Sequence, residues 1–321
     1  MTKTLLATAA AIALISSASA AEAATSKRVV FESNGERLVG DLYLPDDYKA
    51  GDKLPTIIVT GAWTTVKEQM PARYAAEMAD RGYAALAFDF RGWGQSEGEP
   101  RQLEDPERKT QDIVAAADYL ATRPEVDAAR MGGLGICASS GYMTDATIRS
   151  PHLRSVALVA PWLHNAEIVN ATYGGDEAVA GLIETGREAE QSSTPRMVPA
   201  ASMTDDSAIM FEAPYYTEKD RGLIPEYVNE FNLASWEPWL RYDAVSLSSG
   251  VNANSIPVQI VHSESAAIPQ GAHAFFDAIT VDTKNQTWLD GVTQFDFYDA
   301  PEAVETASDT VASHFANTLG Q

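Results

Sequence analysis

Short runs of apolar residues alternate with stretches of helical periodicity along most of this chain. The runs fall at residues 56–60, 84–88, 132–136, 156–160 and 258–261, with a last, weaker one near 287–289. Because successive positions in each run are apolar, both faces of each strand are expected to be covered, which is typical of a parallel sheet between two layers of helices. The helical stretches lie at residues 70–80, 106–121, 139–149, 269–279 and 301–319.

Two departures from this rhythm define the predicted organisation. At the start, two alternating stretches, 28–32 and 37–43, flank Asn34-Gly35, which is a strong signal for a β-hairpin. After the sixth strand, residues 163–250 are too long for a simple crossover and are rich in aromatic residues and methionine. We interpret this interval as a mostly helical cap inserted into a core formed by residues 24–162 and 251–321.

The first 23 residues resemble a secretory leader. Lys3 precedes a short apolar stretch, and small residues follow at Ala18, Ala20, Ala21 and Ala23. The apolar stretch is short and rich in alanine, which favours a cleaved signal peptide over a membrane anchor. The sequence therefore predicts a periplasmic or secreted protein with a signal peptide at residues 1–23.

Composition excludes several classes of function. The chain has 45 acidic and 23 basic residues, and a surface with a formal charge of −22 repels nucleic acid and anionic membranes. The single cysteine cannot form an internal disulfide and argues against a cysteine-based metal site. Zinc-protease and P-loop motifs are also missing from the sequence. We expect a small-molecule substrate with no metal or cofactor, and the sequence gives no indication of oligomeric state.

The candidate chemistry lies in the stretch GICAS, residues 135–139, which follows an apolar strand and opens a helical stretch. Small residues on both sides of Cys137 allow the tight strand-turn-helix elbow that exposes a nucleophile. At a helix N-terminus, backbone N–H groups favour an anion, so we expect a lowered thiol pKa for Cys137.

This elbow and the stretch FDFRGWGQSEGE, residues 88–99, resemble the α/β-hydrolase superfamily. The resemblance is strongest to dienelactone hydrolase, which is similar in placing cysteine at the elbow, and to serine-aminopeptidase-like hydrolases. It implies a mostly parallel eight-stranded sheet covered by helices on both faces, with the cap after strand 6. It also implies an oxyanion hole formed by the N–H of Ala138 and that of Ala62 or Trp63.

Two positions depart from the family pattern. The slot of the family's acid, four residues after His262, holds Ala266, and the nearest carboxylate is Glu264. The slot of the catalytic histidine holds Gln294, whose amide is not a base near neutral pH.

The sequence leaves three interpretations of these departures open. Thiolate formation at Cys137 needs no histidine if the helix N-terminus supports it. Alternatively, another base serves, and His164, just after the sixth strand, is a better candidate than His262. In that case Glu264 assists, and Gln294 hydrogen bonds the substrate. In the third interpretation, hydrolysis is lost and the fold keeps only a ligand-binding pocket. We favour a hydrolase that cleaves an ester, lactone, thioester or amide through Cys137.

Overall fold

The computed structural model describes residues 26–320. The predicted signal peptide lies outside these residues. Within the described range, no helix combines the length and the apolar character needed to cross a membrane.

The strands are, in chain order, β1 (Ser26–Ser33), β2 (Glu36–Tyr43), β3 (Leu54–Thr60), β4 (Ala84–Phe88), β5 (Val126–Ile136), β6 (Leu153–Val159), β7 (Met197–Pro199), β8 (Ala201–Ser202), β9 (Met210–Phe211), β10 (Glu230–Asn232), β11 (Val258–His262) and β12 (Lys284–Trp288). Eight of them form one sheet in the order β1-β2-β4-β3-β5-β6-β11-β12. Within this sheet the β1–β2 and β2–β4 pairs are antiparallel, and the other described pairs are parallel. The predicted eight-stranded, mostly parallel sheet is confirmed.

The helices are α1 (Met70–Asp80), α2 (Pro106–Ala121), α3 (Ser139–Arg149), α4 (Ala166–Tyr173), α5 (Asp176–Glu190), α6 (Pro214–Thr217), α7 (Trp236–Arg241), α8 (Ser248–Asn254), α9 (Pro269–Ala278), α10 (Asp296–Asp299) and α11 (Pro301–Leu319). α1 packs beside α11, and α2, α3 and α8 form a second packed group. The central strands β3 and β4 are almost entirely buried between helices, as the apolar runs predict.

The last strand differs from its prediction. It spans Lys284–Trp288 rather than 287–289, and it pairs with β11 along its whole length. Its residues are half-buried or exposed because β12 lies at the edge of the sheet. An edge strand does not need an apolar run, so the hydrophobic pattern marks only its end.

The segment between β6 and β11 carries the cap. Helices α4 and α5 dominate its first half, as expected, but β7–β10 form two small two-stranded sheets that the pattern does not predict. Strands of two or three residues are too short to show alternation. The cap is held to the core by aromatic packing of Trp63 against Phe231, Trp236 and Trp239 and by the Arg221–Asp299 ion pair at 2.6 Å.

The loop after β4 is organised around a buried carboxylate. Asp89 accepts hydrogen bonds from the backbone N–H groups of Lys67 and Gln95 at 2.8 and 2.9 Å and from Lys67 Nζ at 3.0 Å. A Cβ at Gly94 would lie 2.4 Å from this carboxylate, so only glycine fits there. Asp89 thereby ties the β4 loop to the loop between β3 and α1.

Candidate active site

Cys137 lies at a sharp turn between β5 and α3. Its φ is +56°, a strained conformation for a residue with a Cβ. Its carbonyl accepts hydrogen bonds from the N–H groups of Ser140 and Trp162, both at 3.0 Å. A Cβ at Gly135 would lie 2.7 Å from the carbonyl oxygen of Ser139, so glycine is required where the helix turns back over the strand. The structure thus places Cys137 at the strand-turn-helix elbow that the sequence indicates.

Cys137 and Ala138 form part of the wall of a cavity of about 490 Å³, here called the Cys137 cavity. This volume lies in the range of small-molecule sites. The core and the cap both contribute to the rest of its lining, which consists of Trp63, Trp162, Thr172, Tyr173, Ile209, Met210, Tyr216, Trp239, Ala267, Gln294, Phe295 and Tyr298. Over the described part of the chain, no lining residue carries a charge at neutral pH.

Four hydrogen-bond donors surround the sulfur of Cys137. They are the backbone N–H groups of Trp63 and Ala138, the hydroxyl of Tyr298 and the side-chain amide of Gln294. Trp63 and Ala138 are two of the three residues expected to form an oxyanion hole. The third, Ala62, is not among these donors, and its carbonyl accepts a hydrogen bond from Thr65 Oγ1 at 2.6 Å.

The expectation of a lowered thiol pKa is wrong. Burial raises the pKa of Cys137 above its usual value, and the donors from Tyr298, Ala138, Trp63 and Gln294 oppose this shift only in part. The side chain is almost completely buried beneath the cap, so the cost of desolvating a thiolate exceeds the help from the helix N-terminus. Cys137 is therefore a protonated thiol at neutral pH.

His164 is not placed to act as the base for Cys137. Its Nδ1 accepts the indole N–H of Trp162 at 3.0 Å, and its Nε2 therefore carries the proton that it donates to the carbonyl of Trp239 at 3.0 Å. Burial lowers the pKa of His164 to about 4. Both ring nitrogens are thus occupied, and the residue joins the loop after β6 to the cap.

The other candidate helpers also lie elsewhere. The side chain of Glu264 is 68% exposed and pairs with His273 Nε2 at 2.8 Å, so the expected assistance to catalysis is not supported. A carboxylate two residues before the family's acid slot points away from the cavity because the turn after β11 carries it to the surface. His262 is fully buried against Trp288, with ring centroids 5.3 Å apart, and does not line the Cys137 cavity.

Gln294 occupies the position of the family's histidine, and both its amide nitrogen and its amide oxygen are hydrogen bonded. Its Nε2 donates to the carbonyl of Ala160 and to the hydroxyl of Tyr298, both at 3.0 Å, and its Oε1 accepts the N–H of Ala267 at 3.0 Å. Both amide protons therefore have acceptors within the protein, and the hydrogen bond of this amide to the sulfur shares one of them. The side chain is therefore fixed in position, and one lone pair of Oε1 remains available to a substrate.

Tyr298 contacts the sulfur of Cys137, although the family pattern in the sequence does not indicate it. It lies in α10, is buried, and its hydroxyl stands between the amide of Gln294 and the sulfur of Cys137. Burial, followed by the nearby sulfur, raises its pKa well above the usual value, so it is a hydrogen-bond donor and not a base. A tyrosine four residues after the histidine slot is the only sequence signal that points to it.

Comparison with known proteins places this architecture among characterised folds. The chain is 27% identical over 304 residues to the Pseudomonas aeruginosa protein PA2218, covering 91% of this chain and 81% of that one. The PA2218 crystal structure superposes with a TM-score of 0.79 at 25% identity, covering 92% and 94% of the two chains. The α/β hydrolase GrgF from Penicillium sp. sh18 superposes at 0.75 with 17% identity, covering 92% and 100%.

A third relative carries a chemical name. Thiohydrolase aneE from Aspergillus aculeatus is 25% identical over 263 residues, which cover 77% of this chain and 79% of that one. The family model for X-Pro dipeptidyl-peptidase (S15 family) matches residues 34–262, which include β2, the elbow and the segment between β6 and β11. This chain is accordingly a hydrolase of the α/β-hydrolase fold, and it belongs to the X-Pro dipeptidyl-peptidase (S15) family.

Proposed function

We propose that this protein is a cysteine-dependent acyl hydrolase that acts on thioesters, or on esters with similarly good leaving groups, of neutral and largely apolar acids. The observation that carries the proposal is the ring of four donors around the sulfur at the wall of an uncharged, aromatic cavity. Such donors stabilise negative charge on the sulfur and on the oxygen of a bound carbonyl group.

In the proposed reaction the sulfur of Cys137 attacks the acyl carbon of the substrate. A bond forms between this carbon and Sγ, the bond from carbon to the leaving sulfur breaks, and the thiol proton passes to the departing thiolate. The N–H groups of Trp63 and Ala138 hold the oxyanion. Water then attacks the acyl-enzyme, the free acid leaves, and a proton returns to Sγ.

Because no described residue serves as a base for the sulfur, the site favours substrates with good leaving groups. Among the described residues that approach the sulfur, each polar group is a donor, and His164 is occupied. An amide needs a general acid to protonate its leaving amine, whereas a thiolate leaves without one. Attack of a thiol on a thioester exchanges one sulfur for a similar one and is nearly balanced in free energy. Of the candidate substrates, thioesters therefore need the least acid–base assistance from this site.

The cavity does not suit the dipeptidyl-peptidase activity in the family's description. A dipeptide released from a free amino terminus carries an ammonium group, and a buried ammonium needs an anionic partner. The described lining offers aromatic rings, hydroxyls and an amide but no carboxylate. The name of the relative aneE, a thiohydrolase, is consistent with sulfur-ester chemistry.

Pre-steady-state kinetics test the proposal. The S-phenyl thioester of butyric acid should release one equivalent of thiophenol per enzyme in a fast phase, followed by slow turnover, because deacylation by water lacks a base. Hydroxylamine, a strong nucleophile that needs no protein base, should accelerate the slow phase. Cys137→Ala should remove both phases, and an identical time course in that variant would contradict the proposal.

A second candidate function is ligand binding without chemistry. It is favoured by Gln294, which replaces the histidine and is hydrogen bonded at both ends. In that case a neutral aromatic acid or ester should raise the melting temperature of wild type and of Cys137→Ala equally. Neither protein should then release thiophenol.

Secretion forms part of the same proposal. The leader at residues 1–23 would be removed on export, and residues 163–250 would fold as the cap over the site. N-terminal sequencing of protein expressed with its full leader tests the first point. We expect a mature N-terminus between Ala21 and Ala24, and a chain that begins at Met1 or Thr2 would contradict it.

A further inference from the structure

The peptide bond that follows Trp63 is held at both of its polar ends. Its carbonyl oxygen, on Trp63, accepts the hydroxyl of Tyr216 at 3.2 Å. Its N–H, on Thr64, donates to Oε2 of Glu104 at 3.2 Å. This peptide is bonded to the Cα of Trp63, the residue whose own N–H points at the sulfur of Cys137.

Thr64 adopts a backbone conformation that it would not hold unaided. Its φ is +64°, the left-handed region, which is an outlier for a β-branched residue. The residue is fully buried, and its N–H has Glu104 as its acceptor. Strain of this kind persists only where neighbouring groups fix it, so the carboxylate of Glu104 helps to hold Thr64 in this conformation.

Glu104 itself is fixed from several directions. It is fully buried, and Oε1 accepts Lys109 Nζ at 2.6 Å and the Tyr142 hydroxyl at 2.9 Å. Its backbone N–H donates to Ser235 Oγ of the cap at 2.8 Å. Glu104 therefore connects α2, α3, the cap and the loop before α1, and within the described chain its Oε2 accepts from the N–H of Thr64.

We propose that Glu104 is a positioning residue that holds the Trp63 N–H in the orientation needed to bind the oxyanion. The inference rests on the proposed function, since it concerns the oxyanion hole of that same reaction. Without an acceptor for Thr64, the Trp63–Thr64 peptide rotates out of its strained conformation. The adjacent N–H of Trp63 then leaves the position where negative charge develops.

A matched pair of double variants isolates the acceptor from the charge. Glu104→Gln with Lys109→Met keeps a carbonyl oxygen for Thr64, and Glu104→Leu with Lys109→Met removes it. Neither variant leaves a buried charge unpaired, and replacement of a whole buried ion pair is often neutral for stability. The first readout is acylation by S-phenyl thiobutyrate, which develops an oxyanion. The second is alkylation by iodoacetamide, a displacement at carbon that develops none.

We expect the glutamine variant to acylate within about threefold of wild type and the leucine variant to be slowed roughly tenfold or more, as for a displaced oxyanion donor. Alkylation should be unchanged in the glutamine variant and should slow clearly less than acylation in the leucine variant, because it loses only the Trp63 donor to the sulfur and forms no oxyanion. A leucine variant that acylates as fast as the glutamine variant overturns the role of Glu104 alone. Equal slowing of acylation and alkylation also overturns it, because that result indicates a general disturbance of the site.

Two other outcomes are equally decisive. A wild-type protein that is alkylated but never acylated overturns the proposed function and this role with it. If the leucine variant does not fold, Glu104→Met with Lys109→Leu replaces it as a second apolar pair. Failure of both apolar pairs to fold, beside a folded glutamine variant, assigns the acceptor to stability and overturns the positioning role.

Discussion

At the scale of single residues, Cys137 lies at the position of a nucleophile, but its sulfur is protonated in the free protein at neutral pH. Burial raises its pKa, and the surrounding donors stabilise charge that appears only when the sulfur reacts. Under the proposed function, this thiol reacts slowly with reagents in solvent and faster with a substrate that fills the cavity and displaces water. Its reactivity should therefore depend strongly on pH.

We expect the rate of iodoacetamide alkylation of Cys137 to rise with pH through a midpoint above that of a free thiol. The thiolate is the reacting form, and a raised pKa moves its appearance to higher pH. N-acetylcysteine under the same conditions provides the reference midpoint, and Tyr298→Phe, which removes one donor, should move the protein's midpoint higher still. A midpoint below that of N-acetylcysteine contradicts the burial argument.

Restoring histidine at position 294 alone should not restore a base. The N–H of Ala267, which now donates to Gln294, would favour an imidazole that accepts at Nδ1 and carries its proton on Nε2. That tautomer cannot take a proton from the sulfur. Gln294→His should accelerate deacylation by less than about threefold, whereas Gln294→His with Ala266→Asp, which adds an acceptor in the family's acid slot, should accelerate it by tenfold or more.

Steady-state turnover of the thioester by both variants measures this difference. A single Gln294→His variant that turns over as fast as the double variant would show that the Ala267 N–H does not control the tautomer. The sequence identifies Cys137, Gln294 and the acid slot that holds Ala266, since all three follow from its resemblance to the α/β-hydrolase superfamily. It does not reveal that Tyr298 stands against the sulfur or that burial raises the thiol pKa, because both depend on how the cap closes.

At the scale of elements, the loop after β6 and the cap helix α7 are joined through His164. The ring accepts from Trp162 and donates to Trp239, and both tryptophans line the Cys137 cavity. This explains a buried histidine at the carboxyl edge of the sheet without a role in proton transfer.

His164→Gln should leave acylation of Cys137 within about threefold of wild type, since an amide can accept from Trp162 and donate to Trp239 in the same way. His164→Ala should lower the melting temperature, because it leaves the buried indole N–H of Trp162 and the carbonyl of Trp239 without their partner. Thiophenol release and thermal denaturation measure the two effects. A hundredfold loss of acylation in a stable His164→Gln variant would restore His164 as a general base.

The elements themselves were predictable to different degrees. Buried strands such as β3 and β4 are visible as continuous apolar runs because helices cover both their faces. The edge strand β12 and the short cap strands β7–β10 are not visible, because their residues are partly exposed or too few to show a period. The same holds for Glu104, because three of its four partners, Thr64, Tyr142 and Ser235, lie on elements distant in the chain.

At the scale of the whole molecule, buried histidines link stability to pH. Burial lowers the pKa values of His164, His262 and His314 to about 4. In the unfolded chain the value is about 6.5, so between pH 6.5 and 4 the unfolded state binds protons that the folded state excludes. The stability that these neutral rings contribute is complete above pH 6.5 and is lost as pH falls towards 4.

We expect the melting temperature to fall between pH 7 and pH 5. His314→Gln should reduce that fall, because it removes one of the three buried rings with a lowered pKa. His314 lies in α11, hydrogen bonds Ser155 at 2.8 Å and does not line the Cys137 cavity, so the variant should acylate normally. Each histidine contributes ~1.4 kcal/mol for each unit of pKa difference, an upper value for a protein that relaxes around the charge. Calorimetry at half-unit steps of pH measures the slope, and an unchanged slope in His314→Gln contradicts the assignment.

The overall fold was predictable from the sequence because the buried strands of its main sheet appear as apolar runs and Asn34-Gly35 marks its hairpin. The boundary and contents of the cap were less so, since aromatic residues that seat the cap on Trp63 and those that line the cavity look alike in sequence. Trp239 does both: it packs against Trp63 and forms part of the cavity wall.

Mass spectrometry of the protein after a short reaction with S-phenyl thiobutyrate shows whether Cys137 becomes acylated. We expect a butyryl adduct on the intact wild-type protein, located by peptide mapping at Cys137, and no adduct on Cys137→Ala. Hydroxylamine should remove the adduct. A wild-type protein that is folded and binds the corresponding neutral acid, yet never carries the butyryl group on Cys137, would contradict it.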